Sequence, residues 1–116
     1  MHELSVCQAL IIQVQEIAEQ HGAYGVKLIK LQIGPLSGVE ASLLENAFPL
    51  ASAGTVAENA LLQIDRLPVR VRCQQCGAES ETAANRLLCG QCGDYHTQLI
   101  SGDEMLLASV ELIKEA

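Results

Sequence analysis

Tryptophan is absent from this chain, and aromatic residues make up only 3% of its 116 positions. The core must therefore be built from Leu, Ile, Val and Ala, which the 49% hydrophobic content supplies, and a disordered composition is excluded. Basic residues are also few, 7 Lys and Arg against 14 Asp and Glu, giving a net charge of −7. Nucleic-acid binding needs clustered cations whose contacts release counterions, and here no basic stripe is interleaved with aromatics. The densest basic group, Arg66, Arg70 and Arg72, reads as a solvated strand edge. No run approaches the ~20 apolar residues of a membrane span, and no basic n-region precedes a hydrophobic stretch. The expectation is a cytoplasmic protein with no nucleic-acid or membrane partner. The chain has room for one compact body and one small module.

Cysteine, in contrast, is well represented and its spacing is informative. Cys73-Gln-Gln-Cys76-Gly is followed, with twelve residues between Cys76 and Cys89, by Cys89-Gly-Gln-Cys92-Gly. A two-residue gap lets one turn aim both sulfurs at a single ion, and two such knuckles make a four-thiolate tetrahedral site. Gly77 and Gly93 permit the tight turn that directs backbone N–H groups at the sulfurs. Zinc is the default occupant, and because four ligands leave no open position its role would be structural. Iron in a rubredoxin-like centre uses the same donors, and the spacing does not choose between the two metals. Paired disulfides would need an oxidising compartment, and a redox Cys-x-x-Cys would work as a single copy. The fifth cysteine, Cys7, reads as a small buried hydrophobe on a helix.

Apolar residues at Leu4, Cys7, Ile11, Val14 and Ala18, with Leu10 and Ile17, predict a helix from Glu3 to about Gln20, capped by Gly22. Val26 to Gly34 alternates as a strand, with Ile29, Leu31 and Ile33 on one face and Lys30 and Gln32 on the other. Ser37-x-x-Glu40 has capping-box form ahead of a second helix over Ala41 to Ala53, in which Pro49 should cause a kink or an early end. A second strand is expected over Ala60 to Leu67, with Val69 to Arg72 extending it toward the knuckles. Beyond the second knuckle, Tyr95 to Ile100 and Met105 to Ile113 flank a hairpin-like Ser101-Gly102-Asp103-Glu104, and Leu106, Ala108, Val110 and Leu112 alternate onto one face. The predicted fold class is α/β (α+β), two helices packed on a small mixed three-stranded sheet, with the zinc-ribbon module inserted. Its predicted domains are residues 1–68 with 101–116, and residues 69–100.

At the start of the chain, Met1-His2-Glu3 offers a terminal amine, main-chain amides and an imidazole in one plane, a donor set suited to Ni(II) or Cu(II). On its own a histidine there is more simply a solvated residue. Taken together, Met1-His2-Glu3-Leu4-Ser5, Ile33-Gly34-Pro35-Leu36-Ser37-Gly38-Val39-Glu40, Ala53-Gly54-Thr55-Val56-Ala57-Glu58 and the paired knuckles resemble the HypA/HybF family of nickel metallochaperones, over essentially the whole sequence. The resemblance implies a nickel carrier and not an enzyme. It implies that Ni2+ is cargo held by main-chain nitrogens of Met1, His2 and Glu3 with the His2 imidazole, and that Zn2+ is structural on Cys73, Cys76, Cys89 and Cys92. It also implies a partner GTPase and delivery to a nickel–iron hydrogenase large-subunit precursor, by a monomer or weak homodimer. His96 is a candidate further nickel ligand, its plainer reading being a surface residue. Asn59 stands where family members often carry Gly, and His21 suits the negative end of the first helix. The rival function is a zinc-ribbon interaction module with no second metal.

Overall fold

The computed structural model of the chain describes the backbone of residues 2–114 and side chains from Glu3 onward. In order it contains α1 (His2–Gln20), β1 (Gly25–Ile33), α2 (Ala41–Ser52), β2 (Leu61–Arg66), β3 (Val69–Cys73), β4 (Glu79–Thr82), β5 (Thr97–Ser101) and β6 (Met105–Ile113).

The helical spacing of Cys7, Leu10, Ile11, Val14 and Ala18 buries all five on one stripe of α1. The helix ends as Gly22 requires: its φ of 65° lets Ala23 N–H reach the Ala18 carbonyl at 2.9 Å while Gly22 N–H reaches Glu19 at 3.2 Å, a Schellman closure. Strand β1 is the centre of a mixed sheet of order β2-β1-β6, parallel to β2 and antiparallel to β6. The parallel pairing needs a crossover, which α2 provides. Val26, Ile29, Leu31 and Ile33 of β1 meet the α1 stripe together with Leu44 and Phe48 of α2, so both helices cover the same face. Ile29, Leu31 and Leu44 are fully buried, each worth ~1.5–3 kcal/mol by transfer from water. The fold class read from the sequence is the one found.

Several local expectations change. Ser37 does not cap α2. Its hydroxyl accepts the Val39 N–H at 3.2 Å in a local turn, and the helix begins at Ala41 behind Glu40, which makes no side-chain cap. Pro49 does not end the helix, which continues to Ser52. The carbonyl it orphans belongs to Glu45, and both residues face solvent, where water can satisfy it. Val69 to Arg72 does not extend β2: after Pro68 the chain enters a second sheet of order β4-β3-β5, with β3 in the middle. Arg70 and Arg72 are therefore not on a strand edge, and they pair across to Glu81 at 3.9 Å and Glu79 at 2.7 Å. Ser101 to Glu104 joins no hairpin, because β5 belongs to the second sheet and β6 to the first. Finally, the β1–β6 register slips between Lys30↔Ser109 and Leu31↔Leu107, leaving Ala108 as an extra residue. That bulge switches the inward face from Met105 and Leu107 to Val110 and Leu112, so Leu106 and Ala108 point outward.

Candidate metal centre

The first knuckle closes the β3-to-β4 turn, and the second precedes β5. The two have the same construction. Gly77 N–H bonds the Cys73 carbonyl and Gly93 N–H the Cys89 carbonyl, each at 3.0 Å, with φ of 77° and 76° at the two glycines. Only residues tolerant of the left-handed region fit these corners. Each leading sulfur then accepts two main-chain donors: Gln75 and Cys76 N–H reach Cys73 Sγ at 3.3 and 3.4 Å, and Gln91 and Cys92 N–H reach Cys89 Sγ at 3.3 and 3.4 Å. Ala78 and Asp94 supply a backbone hydrogen bond to each trailing sulfur.

All four sulfurs lie within 4.8 Å of one another, with 3.6 Å for both Cys73–Cys92 and Cys76–Cys89. A tetrahedral ion with metal–sulfur bonds near ~2.3 Å requires sulfur–sulfur edges of about 3.8 Å. The donor set fits such an ion, and the separations are too long for disulfides. The electrostatics are prepared as well. The two backbone donors from Cys92 and Gln91 lower the Cys89 thiol to about 6, and Cys73 is lowered likewise, chiefly by the Cys76 N–H. At Cys92 the Asp94 N–H pulls downward, but the crowding of the other three sulfurs and desolvation push the thiol up to about 12. Cys76 is also raised, the Ala78 donor being outweighed by the Cys89 and Cys73 sulfurs and desolvation.

The knuckles are tied by side chains that spacing rules did not identify. Ser80 Oγ accepts Gly90 N–H at 3.0 Å, and Thr97 Oγ1 donates to the Leu87 carbonyl at 2.8 Å. Asp94 Oδ1 accepts both the backbone N–H and the ring Nδ1 of His96, each at 2.7 Å, which holds its carboxyl below the ordinary range. An Asp two residues before a His is the sequence signal for this turn. The His96 ring lies against Tyr95 at 4.0 Å between centroids, with the two planes tilted by 31°. Gln74 N–H bonds the His96 carbonyl at 2.8 Å, joining the first knuckle to the segment after the second.

The nickel ligands expected at the N-terminus are only partly described: Met1 and the His2 imidazole lie outside the described residues. Glu3 is half-buried and, with Leu4, Leu43, Asn46, Ala47 and Leu50, lines an open hollow of ≈ 380 Å³ between the start of α1 and the length of α2. Among the described residues, neither Glu3 nor His96 joins a group of three or more metal-ligating side chains. Cys7 is fully buried, as expected, and its thiol donates to the Leu44 carbonyl at 3.5 Å. Burial pushes its pKa up.

Residues 1–112 match the family model described as HypA, hydrogenase/urease nickel incorporation, metallochaperone. A hydrogenase maturation factor HypA from Nitrosospira multiformis is 56% identical over 97% of this chain and 98% of its own length. The corresponding Aquifex aeolicus protein is 43% identical over 97% of both. The solution structure of the nickel metallochaperone HypA from Helicobacter pylori superposes with a TM-score of 0.69 at 28% identity, covering 97% of this chain and 98% of that one.

Proposed function

Because this chain belongs to the HypA family of hydrogenase/urease nickel-incorporation metallochaperones, we propose that it carries Ni(II) on the Met1-His2-Glu3 segment. It would pass the ion, with a partner GTPase, to the large-subunit precursor of a nickel–iron hydrogenase. The observation that carries this reading is the position of α1, which begins at His2. The first four N–H groups of a helix have no intrahelical acceptor, so the main-chain nitrogens of His2 and Glu3 are unused by the helix and support a donor set that the His2 imidazole and a terminal amine would complete. Four nitrogens in one plane suit Ni(II) and do not suit zinc. Nickel is cargo in this scheme, and the chain performs no catalysis.

Residues 1–68 with 101–116 form the nickel-binding unit and residues 69–100 the ribbon. Cys73, Cys76, Cys89 and Cys92 hold Zn2+, which supplies a structural cross-link. Natively metallated protein is expected to be colourless, whereas rubredoxin-like absorption would replace zinc with iron in this account. The protein works as a monomer or weak homodimer in the cytoplasm.

Calorimetric nickel titration tests the N-terminal site. Native protein is expected to bind nickel tightly. An N-acetylated form, lacking the amine, and His2→Ala, lacking the imidazole, should lose that affinity while retaining zinc. An amine of ordinary pKa ~7.7–8.0 and an imidazole near ~6.5 must both lose protons, so nickel binding should weaken below neutrality. Unchanged tight binding in both altered forms would overturn the N-terminal site and favour a zinc-ribbon interaction module.

A further inference from the structure

The two sheets are joined by two chain passages, Leu67 to Val69 and Ser101 to Glu104, and two lone passages would make a hinge. The backbone at this junction is arranged otherwise. Beyond the end of β1, Gly34 N–H bonds the Glu104 carbonyl at 2.9 Å and Leu36 N–H bonds the Gly102 carbonyl at 2.7 Å, so β1 grips the outgoing passage. On its other side Leu67 N–H bonds the Ile33 carbonyl at 2.9 Å, gripping the incoming one. Ser101 Oγ donates to the Pro68 carbonyl at 3.4 Å between the two passages, and Glu104 Oε1 receives Gly102 N–H at 2.7 Å.

Contact this close is possible only without side chains. Gly34 and Gly102 are both buried. A Cβ on Gly34 would collide with the carbonyl group of Gly102 and lie 2.7 Å from its Cα, all backbone atoms that no rotamer change can move. A Cβ on Gly102, whose φ is 119°, would meet Val69 Cγ2 at 2.9 Å. We infer that Gly34, Gly102 and Glu104 form a latch that fixes the orientation of the zinc ribbon on the helix-backed sheet, so that the two move as one body. These are positioning residues: among the described residues, their hydrogen bonds run to one another and to the junction and not to the four sulfurs. Their effect is to hold the His96 side of the ribbon at a constant attitude to the first sheet. The inference does not depend on which ion either region binds.

Residual dipolar couplings of the weakly aligned, zinc-loaded full chain give the test. In the native protein one alignment tensor should fit couplings from both regions. Gly34→Ala should need two, with weaker alignment of the ribbon, at unchanged zinc content. Should Gly34→Ala fail to fold, Glu104→Ala removes only the strap on Gly102 and should move the couplings in the same direction by less, while Glu104→Gln, which retains an acceptor oxygen, should restore the single tensor. A merely destabilising change would lower the melting temperature without splitting the tensor. Two tensors in the native protein, or one tensor in both Gly34→Ala and Glu104→Ala, would overturn the latch. Nickel enters none of these measurements, so their outcome is separate from that of the N-terminal titration.

Discussion

The helix-backed sheet and the ribbon solve the same problem with different means. In the former, α1, α2 and the inward residues of β1, β2 and β6 enclose one continuous apolar cluster. In the ribbon, the buried side chains among the described residues are Val69, Val71, Cys73 and Cys89, two valines and two prospective metal ligands. Such a sheet buries too little to offset its own conformational entropy, so its order must come from the metal. The contrast shows how a small sheet can be held together with little core of its own: a four-thiolate site substitutes for the missing apolar interior.

The sharpest way to break this contrast is to remove the ion. Chelation, or Cys76→Ser, should withdraw metal binding of about 10 kcal/mol and collapse the ribbon amides toward random-coil shifts, while far-UV helical signal persists. Complete loss of that signal would mean the first sheet also depends on the metal. The converse change is Leu44→Ala, which opens a cavity between α1, α2 and β1. It should cost ~2–5 kcal/mol in denaturant unfolding and leave zinc stoichiometry unchanged.

A third test uses the pH dependence of metal uptake. In the four-sulfur geometry the Cys89 thiol, depressed to about 6, has given up its proton by neutral pH, whereas Cys92, raised to about 12, keeps its proton there. At neutral pH an incoming ion must therefore expel the protons of the raised pair, Cys76 and Cys92. Zinc affinity should climb roughly a hundredfold per pH unit, with release of about two protons per ion read in buffers of different ionisation enthalpy. The smallest effect is expected at Arg72→Ala. Its partner Glu79 is held below the ordinary carboxylate range by the Arg72 hydrogen bond, yet the pair is exposed. Ribbon stability should stay within measurement error and respond weakly to salt.

What could be read from the residues alone follows the same divide. Cysteine spacing specifies the metal centre because the motif is short and its geometry local, and the α1 stripe with Gly22 specifies a helix because 3.6-residue periodicity and a left-handed cap reinforce each other. Most of the errors arise where pairing is long-range. Alternation at Leu106, Ala108, Val110 and Leu112 cannot reveal that one residue will bulge, since the bulge exists only against β1. Ser101-Gly102-Asp103-Glu104 has turn chemistry, but its flanking strands belong to different sheets, with Gly102 packed against Gly34 and Val69 at the junction. Ser37 fails as a cap because a nearer donor, Val39 N–H, takes its hydroxyl.

The central position of β1 has a kinetic consequence. Its antiparallel neighbour β6 follows the whole ribbon, so the first sheet cannot be completed until the intervening chain has been drawn together. Loop-closure entropy rises with the length of free chain, and pairings distant in sequence slow folding. An ion that gathers four thiolates early shortens that loop before β6 must find its place. Refolding of the helical region should then be faster with zinc present than without it, even though none of the four clustered cysteines belongs to that region.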